Sequence, residues 1–149
     1  MNLEQQLVHA RALRESGKSR AAEKVYRRVL KFRPKHAIAN RDYGMLARDL
    51  NQPDIAQRCL KRALEAEPED PMLLEAMGDV LAAQGNLRES CAVFRRAVAA
   101  QSPSSNLLCK LGDLQRRTGD IAGAEQSFRQ SLELEPGDHF SQIGLGDVL

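Results

Sequence analysis

Apolar side chains recur along this chain at helical spacing, and the pattern restarts at a fixed interval. Leu74, Met77, Gly78 and Leu81 stand at i, i+3, i+4 and i+7, one face of an α-helix. Ser90, Phe94 and Ala97 begin a second helical pattern a few residues later. Gly17, Asn51, Gly85 and Gly119 divide such halves, and Gly or Asn suits the left-handed residue that ends a helix. Asn86 with Glu89 three residues on predicts a capping box, and Asp120 predicts another cap. Pro53 fits the first turn of its helix, where its missing N–H costs nothing. Asp70-Pro71 reads as a cap followed by the first helical position, and Pro34, Pro68 and Pro136 close the second halves. The pattern predicts helix–turn–helix pairs.

The interval is 34 residues. Gly44, Gly78, Gly112 and Gly146 keep it, as do Ala22, Ala56, Ser90 and Ala124, and Tyr26, Leu60, Phe94 and Phe128. Four units follow, at 3–36, 37–70, 71–104 and 105–138, with an incomplete fifth at 139–149. Nine helices are expected. The small residues of the first helix, with Ala10 joining the glycines, let two helices approach closely; the bulky column fills the space toward the next unit. No unit buries its apolar face alone, so neighbours must stack.

At these positions the chain resembles the tetratricopeptide repeat family in its bacterial form, most clearly over Leu107–Pro136. The first unit departs from the family pattern, with Gln6 and His9 where large apolar residues are usual, as suits an end unit facing water. The resemblance implies an all-α, right-handed superhelical solenoid forming a single domain over 1–149, whose first helices line a concave groove that takes a peptide or a partner helix. Some members hold the C-terminal carboxylate of chaperones with a clamp that starts on a Lys and an Asn four residues later. Here no Lys or Arg is followed by Asn at that distance.

Unit positions 2, 5, 9 and 12 point away from the packing stripe. They are Ile38, Arg41, Met45 and Arg48 in the second unit, and Met72, Glu75, Asp79 and Ala82 in the third. The fourth supplies Asn106, Cys109, Asp113 and Arg116; the fifth supplies Phe140, Ile143 and Asp147. With Arg11 and Arg14 of the first unit, the expected partner-binding groove runs from arginine-rich to carboxylate-lined, with exposed Met, Ile and Phe to supply apolar area and charges to set register.

Net charge is only +2, too small to mark a nucleic-acid binder, but it is unevenly spread. The first unit carries ten Lys/Arg and three Asp/Glu, for +7, and the later units carry −2, 0 and −2. Arg20, Lys24, Arg27, Arg28, Lys31 and Lys35 form a stripe on one predicted helix. A solvated face or an acidic protein surface, including the acidic end of a second copy, accounts for it better than nucleic acid, because the stripe has no interleaved aromatics beyond Tyr26 and Phe32 and Tyr26 is claimed by the core.

No catalytic or cofactor motif appears: there is no HExxH, no GxSxG and no phosphate-binding glycine loop. Three cysteines, Cys59, Cys91 and Cys109, fall at three different unit positions and form no CxxC, which argues for apolar fillers, a reducing compartment and no metal site. No signal peptide opens the chain, and no apolar run approaches the roughly 18 residues of a membrane span. The expectation is therefore a cytoplasmic, non-catalytic scaffold without cofactor, acting on a protein or peptide partner. Sixteen Arg against six Lys fits a GC-rich bacterial genome. The alternative is the leading part of a longer bacterial protein with a glycosyl- or sulfotransferase domain behind it; magnetosome and pilus assembly factors are further hosts implied by the resemblance. Phe140, Ile143, Leu145, Val148 and Leu149 sit on a first helix lacking its second, so self-association through this C-terminal helix is expected.

Overall fold

Side-chain caps start all five of the first helices, and they come from one column. Asn2, His36, Asp70, Ser104 and Asp138 stand 34 residues apart. Each accepts a main-chain N–H of the turn that follows, at 2.8 to 3.2 Å. Asn2 also forms a full box, since its own N–H donates to Gln5 at 2.9 Å. The last residue of one repeat therefore begins the next.

In the computed structural model, which describes residues 1–149, these signals yield nine α-helices and no strand. They are α1 (Leu3–Glu15), α2 (Ser19–Phe32), α3 (Ala37–Asp49), α4 (Pro53–Ala66), α5 (Pro71–Ala83), α6 (Leu87–Ala100), α7 (Ser105–Thr118), α8 (Ile121–Leu134) and α9 (His139–Val148). The expected breaks at 17, 51, 85 and 119 are all present. Gly17, Gly85 and Gly119 take φ of 78°, 80° and 88°, and Asn51, at 56°, is the one non-glycine with positive φ. At each break an N–H reaches back five residues, as from Asn86 to Leu81 and from Asp120 to Gln115, closing the helix end. Asp120 caps α8 as expected, at 3.0 Å to Gly123 N. Asn86 occupies the N-cap of α6, but its side chain makes no capping bond. There the helix starts on the main chain instead, Asn86 O accepting from Ser90 N at 2.9 Å.

Two compact units divide the chain, Met1–Pro68 with α1–α4 and Glu69–Leu149 with α5–α9. In the first, α1 packs on α2, α2 on α3, and α3 on α4. Tyr26 and Leu60 are fully buried there, and Tyr26 stacks on Tyr43 with ring centroids 6.1 Å apart. Gln6 is half-buried and His9 exposed. In the second, α5 packs on α6, α6 on α7, α7 on α8, and α9 on both α7 and α8. Phe94 and Phe128 fill its core. A Cβ at Gly78 would lie 2.8 Å from the Phe94 ring, so the small column is a steric requirement of close helix pairing. Ser90 takes the place of alanine because its hydroxyl donates to Gly78 O at 2.7 Å.

One packing contact was not foreseen. Gly144 of α9 faces the ring of Phe128, where an added Cβ would approach to 2.4 Å, whereas the repeat glycine Gly146 faces open space. Phe128 is thus covered from two helices. A buried hydroxyl relay holds the same junction: Ser141 donates to Ser131 at 2.8 Å, and Ser131 bonds to Ser105 O at 2.9 Å and to Asp138 at 3.2 Å. Hydrogen bonds to Asp138 from Ser141 first, and from Ser131 and the main chain of Phe140 and Ser141, hold its carboxyl below the usual carboxylate range.

Candidate functional site

The first helices of the Met1–Pro68 unit present Arg11 and Arg14 on α1 and Ile38, Arg41, Met45 and Arg48 on α3. Ile38 is 40% exposed, and Arg41 and Arg48 are half-buried. Met45 is a correction: expected in the open, it is only 7% exposed. The reason is that α3 lies against α1, α2 and α4, so that more than one side of it is covered. Arginine does not act alone on this face. Arg11 Nε donates to Asp42 at 2.7 Å and Arg14 to Asp49 at 2.8 Å, while Arg41 and Arg48 reach the same two carboxylates at 3.4 and 3.1 Å. Asp42 and Asp49 thus each hold two guanidinium groups in place. The hydrogen bond to Asp42 raises the Arg11 pKa above its ordinary value.

In the Glu69–Leu149 unit the corresponding faces belong to α5, α7 and α9. Met72 is 68% exposed, Phe140 79% and Ile143 63%; Asn106 is also exposed, and Ala82 and Cys109 are half-buried. Burial pushes the Cys109 thiol up despite a hydrogen bond with Ser141, leaving it protonated at neutral pH. Lys110, absent from the expected site, is its electrostatic centre. Its Nζ donates to Glu75 and to Asp79, each at 3.0 Å, and lies 6.0 Å from the Phe94 ring centroid. Burial works against the Lys110 charge, but the two carboxylates outweigh it and raise its pKa. Asp113 pairs with Arg116 at 2.8 Å and with Arg117 at 3.7 Å along its own helix, and Asp147 adds a further pull on Arg116.

Asp42, Asp49 and Lys110 could have been found from sequence. Arg11–Asp42 and Asp79–Lys110 are 31 residues apart; Arg14–Asp49 and Glu75–Lys110 are 35 apart. Successive first helices place residues at these separations side by side, so opposite charges at one repeat minus three or plus one are the signal. The stripe of Arg20, Lys24, Arg27, Arg28, Lys31 and Lys35 is exposed, and none of the six is in an ion pair. The cysteines are free, no cluster of three His, Cys, Asp or Glu has metal-binding geometry, and no helix is long and apolar enough to cross a membrane.

Tetratricopeptide repeat models match residues 7–51 and 44–106, and again 105–138. The chain belongs to the tetratricopeptide repeat family. Among curated relatives, it is 25% identical over 148 residues to Protein FlbA of Caulobacter vibrioides, and 30% identical over 110 residues to the cellulose synthase operon protein C of Pseudomonas fluorescens. These alignments cover 95% and 68% of this chain but 25% and 8% of the relatives, so the chain spans a minor part of each. Among solved structures, MamA from Desulfovibrio magneticus RS-1 aligns with TM-score 0.84 at 24% identity over 93% of this chain and 78% of its own. YrrB, a TPR protein with an unusual peptide-binding site, aligns with TM-score 0.89 at 20% identity, over 96% of this chain and 74% of its own. These likenesses establish the all-α repeat fold.

Proposed function

We propose that this chain is a non-catalytic protein-interaction scaffold, working in the cytoplasm of a bacterium, whose first-helix faces bind a peptide or helix of a protein partner. One observation carries the reading. Ile38, Met72, Asn106 and Phe140 occupy a single column of the repeat, and three of the four are large, apolar and exposed. Packing within a repeat does not need an apolar residue there, and water disfavours one, whereas a partner supplies the cover. The ion-paired charges beside this column stand ready to set register. YrrB, similar in fold, is described by its peptide-binding site, which is in keeping with this reading.

In the Met1–Pro68 unit, Arg11, Arg14, Arg41 and Arg48 favour acidic residues of the partner. In the Glu69–Leu149 unit, Glu75, Asp79, Asp113 and Asp147 favour basic ones, and Arg116, Asn106 and Cys109 complete the surface. Exposed Phe140, Ile143 and Leu149 on and beside α9 also suit a second copy of the chain. None of the relatives named above is a transferase by name, which leaves the transferase-linked reading without support.

The test is to select peptides from a display library on the immobilised chain and measure their binding to Met72→Asp/Phe140→Asp and to Arg41→Glu/Arg48→Glu. Both variants should lose binding while keeping helical circular dichroism. Selected peptides that bind both variants as well as the parent would overturn the proposal, and sedimentation of the chain alone reads out self-association.

A further inference from the structure

A cleft of about 360 Å³ opens between α2 and α4 of the Met1–Pro68 unit. Arg27 and Lys31, one turn apart on α2, stand on one side, and Arg58 and Arg62, one turn apart on α4, stand on the other. Leu30, Ile55, Tyr43 and Cys59 complete the lining, Tyr43 and Cys59 being buried. Arg27, Lys31 and Arg58 are in no ion pair, and Arg62 spends one N–H on Pro34 O at 3.2 Å. The one acid on α2 is Glu23, which accepts from the Tyr43 hydroxyl at 3.0 Å. On α4, Asp54 and Glu65 line a neighbouring cleft together with Arg58 and Arg62, and with Gln57 and Lys61. Four cations thus converge on an apolar floor, with Glu23 the one acid on the α2 side and Asp54 and Glu65 beside Arg58 and Arg62 on the α4 side.

The repeat does not require this arrangement. Two repeats later the same positions are Arg95, Val98, Ala99, Leu111, Gly123, Gln126, Ser127 and Gln130. Only Arg95 is charged, and Asp120 neutralises it at 2.7 Å. The four cations outside any ion pair are therefore a feature of this chain's first unit and not of the fold. Holding like charges together costs free energy that an anionic occupant returns.

We propose that this cleft is a docking site for an acidic protein segment carrying an apolar side chain between its carboxylates. The rim accounts for the acid and the floor for the apolar residue. A bare phosphate leaves Leu30 and Ile55 uncovered, and a flat bilayer meets the rim without reaching the floor. Single-stranded nucleic acid needs aromatic faces for stacking, and the one aromatic in the lining, Tyr43, is buried. The site is made by second helices and uses none of the first-helix residues proposed above.

The test uses the full chain and a fluorescein-labelled peptide of glutamates around a central leucine, read by anisotropy at rising salt. The parent should bind it, more weakly as salt rises. Arg27→Glu/Arg58→Glu should lower affinity about tenfold or more with the thermal melt unchanged, and replacing the peptide's leucine by serine should weaken binding several-fold. Methyl NMR shifts at Leu30 and Ile55 on peptide addition report the same site without mutation. Met72→Asp/Phe140→Asp should leave this binding intact, which separates the two surfaces. No methyl shift at saturating peptide, or undiminished binding by Arg27→Glu/Arg58→Glu, overturns the proposal. So does tighter binding, lost in the same variant, to inorganic phosphate, oligo(dT), phosphatidylserine vesicles or a second copy of the chain seen in sedimentation.

Discussion

The two compact units are built from the same repeat and carry opposite charge. Residues 1–68 hold fifteen Lys/Arg against eight Asp/Glu, and residues 69–149 hold seven against twelve. Their cores also differ in filling. Tyr26 and Leu60 occupy in one the places that Phe94 and Phe128 take in the other, and only Leu60, Phe94 and Phe128 face a glycine of the pairing helix. What is common lies where one helix meets the next: small residue against large, left-handed break, polar cap. What differs lies where a side chain meets water. A position with a neighbour is held to a size, and a position without one is free to acquire charge, which is where partner choice can be written.

The comparison breaks most easily in the core. Phe94→Ala should cost about 3–5 kcal/mol, the usual loss for truncating a buried aromatic, measured by denaturant unfolding. Hydrogen exchange should speed up first within residues 69–149; equal loss across both units would show that they do not open separately.

A smaller effect is expected at the junction found only in the second unit. Gly144→Val pushes a side chain into the Phe128 ring and should cost about 1–3 kcal/mol, as overpacking does. Amides of 139–149 should lose protection before those of α7 and α8. If α9 stays protected, the contact with Phe128 is not what holds it.

Alkaline titration sharpens the contrast, because both tyrosines lie in the first unit. Burial, aided by the Asp42 charge, pushes the Tyr26 hydroxyl up to about 12. Burial and the hydrogen bond to Glu23 push Tyr43 up as well. A group whose folded pKa is raised contributes stability that is complete below its unfolded value of 10.0 and is lost as pH climbs through the folded value. Tyrosinate absorbance should therefore stay low past the ordinary range and appear near pH 12, together with loss of helical signal. Normal tyrosine titration in a folded chain would contradict the packing of α1–α3.

The smallest effect belongs to Lys110→Met, which removes the bridge between Glu75 and Asp79. Part-exposed pairs of this kind are worth up to about 1 kcal/mol, and the difference from the parent in thermal melts should shrink as salt rises. A loss that is large and insensitive to salt would mean that Lys110 acts through its packing near Phe94.

The helices, their breaks and the repeat were legible from sequence because each is decided within a few residues. Gly85 and Asn51 terminate a helix by their own backbone preferences, Asp70 and Asp120 cap the helix they precede, and the 34-residue spacing of Gly44, Gly78 and Gly112 marks the close pairing with Leu60, Phe94 and Phe128. Tertiary structure decided which side chains outside those columns are covered and by what. Met45 looks like an exposed groove residue on its own helix and is buried because three other helices surround α3. Arg11, Arg14 and Lys110 look like free charges and are paired with acids a full repeat away. Gly144 looks like an interruption and receives the ring of Phe128. Helix formation follows local backbone preference, whereas burial and charge pairing depend on which surfaces meet, and residues 31 or 35 apart become neighbours only once the repeats have stacked.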